Sequence, residues 1–170
     1  MYLQQAMDGV EYHQTKNPDV VFAYDKKEDA ILFNPEHPMF SAYDFHTVMT
    51  HELGHRIDQY FVGSYRQADF VTAIQEGRTA IDANPELFVQ FCRQNDADGF
   101  LSDVLDAISE GQYDFPIGHG SGYWNRETKA RETFTNLFGL ETFEDVQKLS
   151  FINEHFPYLM HSFRTLGFYI

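Results

Sequence analysis

The sequence predicts an α+β domain, mostly helical, with a small N-terminal β-hairpin. Three observations carry that expectation. Two β-rich runs, VVFAY at residues 20–24 and AILF at 30–33, flank the charged turn DKKED, which is a hairpin pattern. From about Ala42 onward apolar residues recur at helical spacing between Gly and Pro punctuation. The chain has 170 residues, 43% of them hydrophobic and 22% charged. That suits one domain, residues 1–170, in which folding hides about 70% of the unfolded surface.

Taken in order, residues 1–18 read as a short helix and a polar loop closing on Pro18, followed by the hairpin. The abrupt helical start reads as a domain cut from a longer protein. NPEHP then breaks the chain, and a helix follows from about Ala42, with Ser41 and Asp44 as a capping-box-like start and Gly63 as its stop. Further helices are expected at 65–75, at 85–93 with Pro85 in the first turn, and at 100–108 between Gly99 and Gly111. Residues 111–123, GQYDFPIGHGSGY, read as a surface loop. The next helix, 126–137, ends at Gly139, and two more lie near 143–149 and 154–165. No internal repeat, low-complexity tract or linker interrupts the pattern.

Composition narrows the function classes. Twelve Lys plus Arg face 26 Asp plus Glu, a formal charge of -14. Nucleic-acid backbones and anionic membrane surfaces are therefore poor partners, because both need clustered cations. The acidic excess is mostly a solvated surface, and it favours basic substrates by long-range attraction. No apolar run approaches the ~18 residues of a transmembrane helix, and the first residues lack a signal-peptide pattern. Cys92, the single cysteine, has an apolar neighbour in Phe91 and reads as packed rather than nucleophilic.

Chemistry concentrates in HELGH, residues 51–55. One helical turn separates His51 from His55, so both imidazoles can reach one metal ion. Glu52 lies beside that face, placed to hold a water rather than to ligate. Gly54 costs about 1 kcal/mol against Ala in a helix interior, which implies a backbone or a substrate passing close by. Three ligands leave one coordination position open, and a straight helix cannot supply all three. Asp58, on the same stripe, is placed to accept a hydrogen bond from a ligand imidazole or to be a solvated carboxylate. For the third ligand, Glu76, Asp114, His119, Glu127 and Glu132 all qualify by residue type. Glu132 sits beside small polar Thr135 and Asn136 on a helix whose Ala130, Phe134, Leu137 and Phe138 read as core. His46 lies about 140° around the helix from His51 and cannot share its metal, and His13, His37, His155 and His161 have no partner at ligand spacing.

HELGHRIDQYFVG, then GSGYW, then ARETFTNLFGL resembles the zincin metallopeptidases of the gluzincin type, whose third ligand is a glutamate on a later helix. The nearest likeness is to the anthrax lethal factor catalytic domain and to lethal-factor-like domains of toxins and phage-associated proteins. It covers about residues 19–165. The resemblance implies a zincin-like fold, one Zn2+ held by His51, His55 and Glu132, and Glu52 as general base. It also implies that Tyr123 steadies the oxyanion. Tyr123 lies nine residues before Glu132, a longer gap than the family's, so His119 competes for that role.

The expected reaction is peptide-bond hydrolysis by a zinc-bound water that Glu52 activates. The substrate is a protein or peptide that adds as a strand to an edge of the hairpin. The rival readings are a zinc hydrolase of a non-peptide substrate, a degenerate zincin that only binds a partner, and a metal-free helical interaction domain. The resemblance favours a secreted toxin or a phage-associated protein as the setting.

Overall fold

A computed structural model describes residues 7–167. It is an α+β arrangement of three short strands and seven α-helices within those residues, in keeping with the expected fold class. The strands are β1 (Glu11–Gln14), β2 (Phe22–Asp25) and β3 (Ala30–Phe33), in the order β1-β3-β2. β2 and β3 form the expected antiparallel hairpin, with Phe22 opposite Phe33 and Tyr24 opposite Ile31. Its centre is β3, whose Ala30 and Ile31 are fully buried. An all-apolar strand sits in the middle because it is covered on both faces.

β1 corrects the reading of residues 7–18 as helix and loop; residues 1–6 of that expected helix lie outside the described residues. EYHQ is polar and mostly exposed, so neither propensity nor alternation marks it. What makes it a strand is parallel pairing with β3, Glu11 beside Ala30 through Gln14 beside Phe33.

The HELGH helix is α1 (Phe45–Ile57). Its cap is Asp44, whose carboxylate accepts from Thr47 N at 2.9 Å. Ser41 instead lies in a 3-10 turn at Phe40–Ala42, which corrects the expected capping box. After Ile57 the helix widens into a π turn, Asp58–Val62, and stops at Gly63 (φ 61°), the expected stop. A bidentate pair ties hairpin to helix: Arg56 Nε and Nη2 each lie 2.7 Å from the Asp29 carboxylate, which also accepts from Tyr24 OH. Ile31, Met49 and Leu53 form a small core beneath them.

The remaining helices build the main core. α2 (Ala68–Ala83) starts later and runs longer than expected, because Tyr65 lies in a separate 3-10 turn. Next come α3 (Pro85–Asn95) and α4 (Phe100–Ser109). α4 is buried along its whole length. α5 (Arg126–Thr142) begins with a capping box on Asn125 and packs on both α1 and α4. It does not end at Gly139. There the Phe100 ring occupies the space of a side chain, since an added Cβ would lie 2.6 Å from it. That close approach between α4 and α5, rather than a stop, is the glycine's purpose. α6 (Val146–His155) and α7 (Pro157–Arg164) close the core through Phe151, Ile152, Leu159, Met160 and Phe163. Among the described residues no helix is long and apolar enough to cross a membrane.

Candidate metal centre

The site forms where α1 and α5 cross. Gly54 lets them meet: a Cβ there would lie 2.9 Å from Thr135 Cγ2 and 3.2 Å from Thr135 Cα. The neighbouring backbone inferred from this glycine is therefore α5. One consequence is that Glu132, a turn before Asn136, faces the two histidines across the seam.

His51 Nε2 and His55 Nε2 are 3.1 Å apart, and Glu132 Oε2 lies 3.6 Å from the first and 3.5 Å from the second. A tetrahedral ion bound at about 2.0–2.1 Å needs ligand atoms about 3.3 Å from one another. The three separations bracket that value. Glu132 is 3% exposed, and its Oε2 is buried without a hydrogen-bond partner. A bare carboxylate oxygen buried between two ring nitrogens is costly unless a cation meets it. The donor set can thus hold a metal ion.

Hydrogen bonds behind the rings aim them. His51 Nδ1 is 3.2 Å from Asn136 Oδ1, and Asn136 donates in turn to Asp103 Oδ2 (2.7 Å) and to the Glu132 carbonyl. His55 Nδ1 is 3.3 Å from Thr135 Oγ1. A proton on each Nδ1 leaves each Nε2 lone pair for a metal. Asp58 does not play the part considered for it. Its Oδ1 accepts from Ser64 N at 2.7 Å and closes the turn after the π segment. Burial pushes its carboxyl up, against the opposing Ser64 bonds and Arg131 charge.

Electrostatics among these groups follow from the same contacts. Burial by itself would lower His55, but the Glu132 carboxylate outweighs it, and the imidazole is pushed up to about 9. Burial likewise would raise Glu132, yet His55, then His51 and His119, hold its carboxyl well below the usual range.

Tyr123 and His119 both reach the centre from the loop before α5. Tyr123 OH donates to Glu132 Oε1 at 2.7 Å, and its ring stacks on His119 with centroids 4.0 Å apart. Burial first, and then the Glu132 charge, keep the Tyr123 phenol protonated far above its ordinary value. His119 Nε2 is 3.6 Å from Asp103 Oδ1 and 3.9 Å from Glu132 Oε2. Glu52 is buried, and its Oε2 accepts from Tyr24 N of β2 at 2.6 Å. The other candidates for third ligand lie elsewhere. Glu76 is exposed, Asp114 pairs with Arg93, and Glu127 pairs with Arg131. Cys92 is buried, and burial pushes its thiol up to about 12, as a packed cysteine requires.

Two acidic residues of the site escaped the sequence reading, Asp103 and Asp106. Asp106 Oδ2 gathers His119 N (2.9 Å), Gly120 N (3.2 Å) and Trp124 Nε1 (3.2 Å), and so shapes the whole Tyr123 loop. A side chain at Gly118 would strike that carboxylate. Burial pushes Asp106 up, against these donors. The available signal was two carboxylates inside the otherwise uncharged and mostly apolar FLSDVLDAIS. Acids on a helix that buries every face need partners.

No family model matches the chain, and neither the curated proteins nor the solved structures compared with it contain a match.

Proposed function

We propose that the protein is a zinc-dependent metallopeptidase of zincin type, with His51, His55 and Glu132 as ligands and Glu52 as general base. The observation that carries this reading is the unpartnered, buried Glu132 Oε2 facing two Nε2 atoms at tetrahedral spacing. A zinc ion held there would supply Lewis acidity, which polarises a carbonyl and lowers the pKa of water from about 15.7 to about 7.

The chain's own groups do the rest. Glu52 Oε2 is fixed by the Tyr24 N–H, so Oε1 is the oxygen that takes the proton and later returns it to the leaving amine. Tyr123 OH, held protonated, donates to the oxygen on which charge builds, and His119 Nε2 stands beside it. Losing one such donor typically costs about 10²–10³ in turnover.

β2 is the edge strand next to the active-site helix, which supports an extended peptide as substrate. Val21 O accepts from Asn34 N, so Val21 turns its backbone groups toward the β3 side. By alternation Phe22 and Tyr24 turn theirs outward; the Tyr24 N–H is taken by Glu52, which leaves the Phe22 groups and the Tyr24 carbonyl for an added substrate strand. The net charge of -14 favours basic segments. A toxin or phage-associated setting is part of the same proposal.

The test is metal content of the wild type and Glu132→Ala by native mass and elemental analysis, with a peptide-library digest by wild type and Glu52→Gln. One zinc, lost in Glu132→Ala, together with cleavage abolished in Glu52→Gln, is the expected result. Cleavage retained in Glu52→Gln sinks the proposed mechanism. Zinc without cleavage of any peptide shifts the reading to a partner-binding domain or a non-peptide hydrolase.

A further inference from the structure

A second convergence of metal-ligating atoms lies beside the first. Asp103 Oδ1 and Glu132 Oε2 both approach His119 Nε2, at 3.6 and 3.9 Å, and all three atoms lie within 4.8 Å of one another. Asp103 is 5% exposed and Glu132 3%. Neither of the two carboxylate oxygens accepts a hydrogen bond. Asp103 Oδ2 is satisfied by Asn136 Nδ2, which fixes the carboxylate and leaves Oδ1 aimed at the cluster. The only ion pair Asp103 makes among the described residues is the one with His119.

Two buried anionic oxygens this close repel strongly unless positive charge lies between them. The first ligand set does not include Asp103, so an ion held by His51 and His55 leaves His119 as the ion-pair partner of Asp103 Oδ1 among the described residues. His119, 39% exposed at its side chain, leaves a way in from solvent.

We propose that Asp103, His119 and Glu132 form a second divalent-cation site, with Glu132 shared between it and the ion of His51 and His55. The inference rests on the metal reading of the first cluster only through that shared carboxylate. Two carboxylates and one imidazole are a harder donor set than two imidazoles and one carboxylate. That donor set selects a harder ion, Mn2+ over Zn2+. A pair of ions sharing a carboxylate can clamp the attacking and departing atoms of a displacement together.

The full chain, loaded with one equivalent of Zn2+, is titrated with Mn2+ and followed by loss of the free-Mn2+ paramagnetic signal and by native mass. The variants are Asp103→Asn, His119→Ala and the pair His51→Ala/His55→Ala. The expected result is one Zn2+ and one Mn2+ per wild-type chain. Mn2+ should bind at least about tenfold more weakly in Asp103→Asn and His119→Ala, with Zn2+ retained. His119→Ala removes a loop side chain and keeps both buried carboxylates, so it reads the site even if Asp103→Asn fails to fold. Zinc bound with no manganese taken up means that a His119 imidazolium balances the carboxylates; this overturns the second site and leaves the first standing. Manganese bound equally by all variants also overturns it. Manganese that depends on Asp103 and His119, in a chain that binds no zinc, supports the second site and sinks the first.

Discussion

Replacing Gly54 with alanine tests whether the seam between α1 and α5 sets the metal geometry. The new methyl carbon would sit 2.9 Å from Thr135 Cγ2, 3.2 Å from Thr135 Cα and 3.3 Å from Thr135 Cβ, where ordinary contact starts near 3.4 Å. Because one of these atoms is backbone, α5 must retreat by about 0.2–0.5 Å. Glu132 and Asn136 ride on that helix, so the Glu132-to-imidazole separations of 3.5 and 3.6 Å stretch toward about 4 Å, beyond the ~3.3 Å a tetrahedral ion wants. Overpacking costs about 1–3 kcal/mol, while exchanging Gly for Ala in a helix returns about 1 kcal/mol. The metal-free fold should therefore lose no more than about 2 kcal/mol by this balance. Zinc affinity should fall by about 10–100-fold, the usual effect of disturbing the shell behind a metal. Competition against a chromophoric chelator reads the affinity, and calorimetric melting of the chelated protein reads the stability. Gly139→Ala is the contrast, because its Cβ meets the Phe100 ring rather than the seam; it should lower Tm with zinc affinity kept. Unchanged zinc affinity in Gly54→Ala would refute the idea that this glycine sets the ligand spacing.

Three further outcomes are expected. Asp106→Asn weakens the acceptor of His119 N, Gly120 N and Trp124 Nε1 and should cost about 1–3 kcal/mol. Trp124 is the single tryptophan, so a red-shifted emission reports the loosened loop directly, and an unchanged spectrum counts against the assignment. Lys148 is buried with its Nζ 3.1 Å from Asp96, 2.6 Å from Asp98 and 3.1 Å from Asp145. Lys148→Met leaves these carboxylates uncompensated and should cost about 3–5 kcal/mol in urea unfolding, with a loss under about 1 kcal/mol contradicting the clamp. Zinc binding should also depend on pH. A metal needs neutral imidazole, and the metal-free His55 is pushed up to about 9, so apparent affinity should rise about tenfold per pH unit from 7 to 9 and then level. The sign for folding is opposite: the raised His55 stabilises the metal-free fold fully below its unfolded value of about 6.5 and loses that effect as pH rises through 9. Calorimetry in buffers of different ionisation heat counts the released proton, and zero released at pH 7.5 would exclude this coupling.

Much of the molecule is legible in the chain itself. The hairpin, the HELGH helix with its stop at Gly63, and the helices opening at Pro85, Phe100 and Arg126 follow from periods of 2 and 3.6 and from local punctuation, because neighbours three or four residues apart decide them. His51, Glu52 and His55 fall on one helix for the same reason. β1 is not legible, since EYHQ becomes a strand only by pairing with β3, nearly twenty residues away. Gly139 reads as a stop until Phe100 is seen against it.

Which of Glu76, Asp114, Glu127 and Glu132 meets the two histidines could not come from periodicity, as all four are acids on or near helices. Packing decides it: Gly54 draws α5 against α1, and of the four only Glu132 ends buried with an oxygen facing both imidazoles. Asp103 and Asp106 are announced by their type inside an apolar helix, but their partners come from the loop before α5 and from α5 itself. The chain alone determined which groups can do chemistry and which of them share a helix. Tertiary structure decided which meet within a few ångströms, because contacts between residues 80 apart depend on how whole helices pack, not on local spacing.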